Sequence, residues 1–67
     1  MSDIKSRIIE FLKSNGRLYK STAEIAKHLG VSTSTVRYHL MRMSLDGIVE
    51  FRKSSDRVFL WRLKEEQ

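Results

Sequence analysis

The chain has no cysteine and no proline, and it contains only three glycines among its 67 residues. Without cysteine it can form neither a disulfide nor a thiolate metal site, so nothing in the composition points to an oxidising compartment. No apolar run is long enough to predict a membrane span, and the charged N-terminus MSDIKSRIIEFLKS is unlike a signal peptide. We therefore expect a cytoplasmic protein, or a nuclear one if its host has a nucleus.

Groupings of residues that carry catalysis are missing as well. The sequence has no Ser/His/Asp set, no glycine-rich phosphate loop and no paired carboxylates at helical spacing. Its two histidines, His28 and His39, fall on different predicted helices without a carboxylate at ligand spacing. We expect no enzymatic activity, no metal and no cofactor, and we interpret His39 as a packing or hydrogen-bonding residue.

Positive charge, by contrast, is abundant. The chain holds 13 Lys and Arg against 8 Asp and Glu, so its formal net charge is +5 at pH 7. Residues 25–45 contain Lys27, Arg37 and Arg42 but no acidic residue. A long segment without negative charge favours a polyanionic partner such as nucleic acid.

The length allows one small domain, residues 1–67, and we expect the last residues, KEEQ at 64–67, to fray. Apolar residues at helical spacing predict a first helix over residues 3–14. RLYK, residues 17–20, alternates polar and apolar side chains and predicts a short extended segment.

Two further helices follow. Ser21 and Glu24 have the spacing of a capping box, which predicts a second helix over about residues 22–29, ended by Gly30. Ser32 is the expected N-cap of the third helix, which covers residues 32–45. Its core-facing residues recur at helical spacing: Val36, Leu40 and Met43.

The last third of the chain changes from helical to strand periodicity. IVEFRK and RVFLWRL are separated by SSD, which predicts a β-hairpin. A three-residue loop would pair Phe51 with Phe59 and Val49 with Trp61, and would place the aromatic residues on one buried face. This register leaves Val58 and Leu60 on the other, less buried face.

The order helix, short strand, helix, tight turn, helix, hairpin is that of an α+β winged helix-turn-helix domain. The segment TAEIAKHLGVSTSTVRYHLMRMSLDGIVE resembles the DNA-binding domains of prokaryotic transcription regulators of the ArsR and MarR type and their archaeal relatives. The residues that carry the resemblance are Ile25, Ala26, Leu29, Gly30, Val31, Ser32, Thr35, Val36, His39, Leu40, Met43, Gly47, Ile48 and Val49. It covers roughly residues 4–63 and implies a wing, residues 52–57, that contacts the DNA backbone or the minor groove.

The third helix carries the first group of candidate DNA-binding residues. A helix that enters the major groove needs small polar residues at its start, and its N-terminus attracts phosphate. Arginine can bond guanine edges or clamp phosphates, and a tyrosine hydroxyl can donate to a phosphate. The candidates on this helix are Ser32, Thr33, Ser34, Thr35, Arg37, Tyr38 and Arg42.

Two smaller groups complete the candidate site. The wing tip RKSSDR contributes Arg52, Lys53 and Arg57, although basic hairpin tips also serve solubility and edge protection. The start of the second helix contributes Lys20, Ser21 and Thr22, where related domains often contact a phosphate. For Ser21, capping alone is the competing interpretation.

We therefore predict a sequence-specific double-stranded DNA-binding protein, a small transcription regulator. The main alternative is a winged helix that binds protein in a larger assembly, for which exposed Ile9, Val58 and Leu60 would be suited. Non-specific nucleoid or RNA binding is a second alternative. Because one helix and one wing read few base pairs, we also expect a homodimer, formed through the first helix or the C-terminal strand.

Overall fold

The computed structural model describes residues 3–64, which form three helices and three strands. In chain order these are α1 (Ile4–Ser14), β1 (Lys20–Ser21), α2 (Thr22–Leu29), α3 (Thr33–Leu45), β2 (Val49–Ser55) and β3 (Val58–Leu63). The predicted α+β winged helix-turn-helix architecture is confirmed. Of the predicted frayed tail, residues 65–67 lie outside the described residues, whereas the backbone N–H of Lys64 donates to the carbonyl of Ile48 at 2.9 Å.

Each helix is preceded by an N-cap residue whose side chain accepts a hydrogen bond from a backbone N–H of the first turn. Asp3 Oδ1 accepts from the backbone of Ser6 at 2.7 Å, so Asp3 caps α1 instead of forming its first turn. Ser21 and Glu24 form the predicted capping box at the start of α2. Ser32 Oγ accepts from the Thr35 backbone at 3.1 Å and caps α3.

A tight turn at Gly30 sets α3 against α2. Gly30 adopts a left-handed conformation with φ 74°, and its N–H donates to the carbonyl of Ala26 at 2.9 Å. Val31 donates to the same carbonyl at 3.2 Å. Glycine suits this position because a side chain would strain a left-handed backbone.

The core lies between the three helices and one face of the sheet. The hydrophobic stripes predicted for α2 and α3 are buried, as are Ile8 and Leu12 of α1, while Ile4 and Phe11 are only partly buried. The buried hydrophobic residues are Ile8, Leu12, Ile25, Ala26, Leu29, Val36, Leu40, Met43, Val49 and Trp61. Trp61 also donates its indole N–H to Thr22 Oγ1 at 2.8 Å, which joins the sheet to the start of α2.

The strands form an antiparallel sheet in the order β1-β3-β2, with β3 in the middle. The predicted hairpin register was wrong by two residues, because Phe51 pairs with Trp61 and Lys53 pairs with Phe59. The turn falls at residues 56–57, beyond the pair Ser55–Val58, and a bulge follows Lys53. A shift of two keeps every side chain on its predicted face, since the side-chain period of a strand is two.

Burial differs from the prediction at three positions. Phe51, expected in the core, is 52% exposed, and Leu60, expected to be exposed, is partly buried. Leu45, at the end of α3, is 88% exposed. Ile9, expected to be exposed, is partly buried and packs against the core. The apolar surface that remains is therefore concentrated beside α3 and β2, and not on α1.

Candidate nucleic-acid interface

The orientation of α3 decides which of its side chains can reach a ligand. Val36 and Leu40 have no exposed surface and Met43 is 2% exposed, so this stripe faces the core as predicted. Successive residues of a helix are about 100° apart around its axis, at 3.6 residues per turn. Tyr38 and Leu45 consequently lie closest to the centre of the opposite face, and both are exposed. Ser34 and Met41, also exposed, lie to one side of that centre.

Arg37 lies on the side of this face that is nearer the sheet. It lines a groove of about 350 Å³ together with Met41 and Leu45 of α3 and with Phe51 and Phe59 of the hairpin. The groove is open to solvent and its wall is mostly apolar. Arg37 therefore places a guanidinium group at the edge of an apolar surface, where it is free to contact a ligand laid across α3.

Arg42 lies on the other side of the exposed face, next to Tyr38. The Arg42 guanidinium donates to the Tyr38 hydroxyl at 2.9 Å and lies 5.7 Å from the centre of its ring. This hydrogen bond raises the pKa of Arg42 above its ordinary value, and the charge interaction with the same hydroxyl acts in the same direction. The pair presents a permanently charged donor in a held position on the solvent side of α3.

The first turn of α3 supplies small hydroxyl side chains. The hydroxyl groups of Ser32 and Thr35 form a hydrogen bond, with 2.8 Å between their oxygen atoms. Ser32 also caps the helix. Thr33 and Ser34 are exposed beside them. The helix start therefore combines free backbone N–H groups with two outward hydroxyls, an arrangement that can accept a phosphate.

At the start of α2 the three predicted residues behave differently. Lys20 is partly buried and lies 3.9 Å from a carboxylate oxygen of Glu24, an exposed ion pair that contributes little. Ser21 takes part in the capping box. Thr22 is 8% exposed and its hydroxyl accepts the Trp61 indole N–H, so the expectation that this hydroxyl contacts DNA is corrected.

The wing divides its basic residues between the two faces of the sheet. Lys53 pairs with Phe59 and shares the face of Phe51, which is the face next to α3. Arg52 points to the opposite face, where its guanidinium lies 5.9 Å from the centre of the Tyr19 ring. Arg57 is exposed in the turn. The structure thus brings Lys53, but not Arg52, to the side of α3.

Met41 and Tyr19 were not among the candidate site residues predicted from the sequence. Met41 falls on the exposed side of α3 by helical geometry, so its position could have been found, but it resembles a core residue. Tyr19 holds Arg62 at 4.4 Å from its ring centre in addition to Arg52, and this contact depends on the pairing of β1 with β3. A two-residue strand gives no signal of that pairing in the sequence.

The described part of the chain shows no metal site and no membrane-spanning helix. Residues 3–64 contain no group of three or more His, Asp or Glu arranged to hold a metal ion. His39 Nδ1 lies 2.9 Å from the carbonyl oxygen of Thr35, and His28 packs on Phe11 with 4.3 Å between ring centres. Among the same residues, no helix has the length and apolar character needed to cross a bilayer.

Comparisons with known proteins agree with this geometry. A family model described as winged helix-turn-helix DNA-binding matches residues 1–50. An uncharacterized HTH-type transcriptional regulator of Pyrococcus furiosus is 41% identical over 49 residues. These residues cover 73% of this chain and 32% of that relative, so the chain spans about a third of its length.

Two solved structures are similar over almost the whole chain. The crystal structure of the apo-Zalpha of zebrafish PKZ has a TM-score of 0.80 at 27% identity, covering 92% of each chain. The Zalpha domain from Carassius auratus PKZ, solved in complex with Z-DNA, has a TM-score of 0.74 at 30% identity. It covers 90% of each chain.

Proposed function

The chain belongs to the winged helix-turn-helix DNA-binding family, and from this premise we propose that it is a transcription regulator that recognises double-stranded DNA by sequence. In this proposal α3 lies in the major groove and the wing contacts the backbone or the minor groove. The observation that carries it is the exposed face of α3, on which Arg37 and Arg42 flank small or apolar residues without any carboxylate.

The proposed contacts follow from where the side chains point. Arg37, Tyr38 and Arg42 would read base edges or clamp phosphates, while Thr33 and Ser34 would bind a phosphate at the helix start. Lys53 and Arg57 would bind the DNA backbone beside the major groove. Lys20, at the start of α2, would bind a phosphate on the opposite side of that groove. Ser21 and Ser32 cap α2 and α3, and Thr35 bonds to the Ser32 hydroxyl, so loss of these residues would act through the helix starts.

Titration of labelled duplex DNA by fluorescence anisotropy tests the proposal. A duplex obtained by in vitro selection should bind more tightly than a random duplex at the same salt concentration. Arg37→Ala and Arg42→Ala should each weaken binding to the selected duplex by about tenfold, as expected for loss of a base or phosphate contact.

Lys13→Ala is the matched control, because it removes an exposed basic residue from the last turn of α1. It should leave affinity nearly unchanged. Equal affinity for selected and random duplexes would replace sequence recognition by non-specific nucleic-acid binding. If neither duplex binds at micromolar protein concentration, the winged helix is better explained as a protein-binding module.

A second candidate ligand is left-handed Z-DNA, because the similar Zalpha domain from Carassius auratus was solved in complex with it. An alternating CG duplex held in the Z form by bromination and the same duplex in the B form separate the two candidates. Preference for the Z form would favour shape recognition. Preference for a selected B-form sequence would favour the regulator proposal.

Two further parts of the proposal depend on DNA binding. A cytoplasmic location is proposed because the ligand is chromosomal DNA. A homodimer is proposed because a single α3 and wing cover one half-site, and two copies would read two half-sites. We propose no enzymatic activity, cofactor or small-molecule effector for this domain.

A further inference from the structure

In the described part of the chain, the outer edge of β2 has no strand paired with it. In the order β1-β3-β2, β3 has a neighbour on both sides and β1 is only two residues long. β2 has seven residues, Val49–Ser55, and no strand among residues 3–64 pairs with its outer edge. Its free N–H and C=O groups can therefore pair with another strand.

This arrangement changes which surface is available for dimerisation. The C-terminal strand, β3, lies between β1 and β2, so only short stretches of its β1-side edge stay unpaired, and it is less suited than β2 to add a strand from a second copy. The first helix is also less suitable than expected, because Ile9 packs against the core of its own chain. Of the surfaces considered, the edge of β2 remains.

Apolar surface adjoins the same edge. Phe51 of β2 is 52% exposed, and the neighbouring Met41 and Leu45 of α3 are 56% and 88% exposed. All three line one groove. A second strand beside β2 would remove part of the Phe51 side chain from water, which favours the pairing.

The charges on β2 favour β2 of a second copy of this chain as the strand that pairs with its free edge. When β2 pairs antiparallel with a second β2 about a two-fold axis through Phe51, Glu50 lies opposite Arg52 of the second copy, and symmetry repeats the pair. Phe51 then lies opposite its own copy. Moving the axis by one residue would place Glu50 opposite Glu50 or Arg52 opposite Arg52, which is destabilising.

Glu50 lies on the face of the sheet that this contact requires. It forms an ion pair with Arg62 of β3 on the outer face of the sheet, the face on which Arg52 also lies. Arg52 of the second copy would leave its place over the Tyr19 ring and approach the same carboxylate from the other side. Each Glu50 would then be flanked by two guanidinium groups, one from each chain.

We infer that this chain forms a homodimer by antiparallel pairing of the β2 edges about Phe51, with Glu50 of each copy bound to Arg52 of the other. The result is a continuous sheet of six strands with both α3 helices on one side. The inference deepens the homodimer of the proposed function, but its test requires no DNA, so either can fail without the other.

Sedimentation equilibrium of the full chain over a range of concentrations tests the pairing. The wild type should approach twice the monomer mass of 7.9 kDa as concentration rises. Arg52→Glu places like charges opposite each other twice, and it should raise the dimer dissociation constant by at least about tenfold. This variant leaves the Glu50–Arg62 ion pair intact.

The charge-reversal variant Glu50→Arg/Arg52→Glu/Arg62→Glu should recover the dimer, because it exchanges the two charges across the interface and keeps opposite charges at the paired positions 50 and 62. Arg57→Glu makes the same charge change in the turn, outside the paired segment, and should dimerise like the wild type. Circular dichroism of every variant confirms that it folds. A wild type that stays monomeric throughout, or an Arg52→Glu variant that dimerises like the wild type, would overturn the inference.

Discussion

The hydroxyl of Thr22 shows how position determines the role of a residue. In the sequence it stands beside Lys20 and Ser21 at the start of a helix, where a hydroxyl can bind phosphate. In the structure it is 8% exposed and accepts the indole N–H of Trp61 at 2.8 Å. Buried polar groups are hydrogen-bonded because an unpaired one loses its hydration without compensation.

Thr22→Val should therefore destabilise the fold. Valine keeps the shape of threonine but leaves the Trp61 N–H buried without a partner, which costs about 1–3 kcal/mol. Urea denaturation followed by circular dichroism measures the free energy of unfolding. Thr33→Val, a matched change at an exposed position, should alter it by less than about 0.5 kcal/mol.

A double-mutant cycle separates this hydrogen bond from packing. Trp61→Phe removes the donor, so Thr22→Val should cost less in that background than in the wild type. An equal cost in both backgrounds would mean that the hydrogen bond does not contribute to stability.

At the scale of elements, the start of α1 is sensitive to acid. The hydrogen bond from the Ser6 backbone, followed by that from its side chain, lowers the pKa of Asp3 below its ordinary value. A group with a lowered pKa in the folded state stabilises the fold above its unfolded pKa, and this stabilisation is lost as pH falls through the folded value. The cap is therefore strongest near neutral pH.

Asp3→Asn tests this dependence, since asparagine caps a helix but does not titrate. The advantage of the wild type over Asp3→Asn should be greatest at pH 7 and should shrink as the pH falls below about 4, the ordinary pKa of aspartate. Urea midpoints measured over this range provide the comparison. A difference that is constant with pH would exclude a charged cap.

The turn between α2 and α3 depends on backbone conformation alone. Gly30 has φ 74°, and nothing lies within 4 Å of the place where a side chain would begin. Gly30→Ala should thus destabilise the protein by about 1 kcal/mol through backbone strain.

D-alanine at position 30, introduced by chemical synthesis of the chain, is the matched control. It has the same methyl group but favours positive φ, so stability should be equal to or above that of the wild type. If both substitutions destabilise equally, contact with the methyl group, and not strain, is responsible.

For the whole molecule, the net charge of +5 matters less than its distribution. The cations proposed to contact DNA come from the start of α2, from α3 and from the wing, and they meet only because the chain folds. Every phosphate contact releases a condensed counterion, which makes affinity fall with salt. Salt dependence therefore reports how many of these cations act together.

Lys53→Ala and Arg57→Ala should each reduce the slope of log affinity against log salt by about 0.9, and the double variant by about twice that. Arg52→Ala, on the opposite face of the sheet, should leave the slope unchanged on a short duplex with a single site. Anisotropy titrations at several salt concentrations measure the slopes. A wing that does not contact DNA would leave the slopes of all four variants equal to that of the wild type.

The sequence alone determined the helices, the caps of α2 and α3 and the inward stripe of α3, because these depend on interactions between residues three or four apart. Ser21 with Glu24, Ser32 with Thr35 and the apolar spacing of α3 are local in this sense. The alternation of the hairpin likewise assigned each side chain to its face. The family resemblance and the exposure of Arg37 and Arg42 followed from these patterns.

The tertiary structure decided what depends on contacts between distant residues. The turn at residues 56–57 and the bulge after Lys53 together moved the hairpin register by two. The pairing of β1 with β3 brought Tyr19 under Arg52 and Arg62, and α3 left Phe51 half exposed. None of these has a periodic signature, since each depends on how elements pack and not on the spacing within one. The same packing placed β3 inside the sheet and left the edge of β2 open.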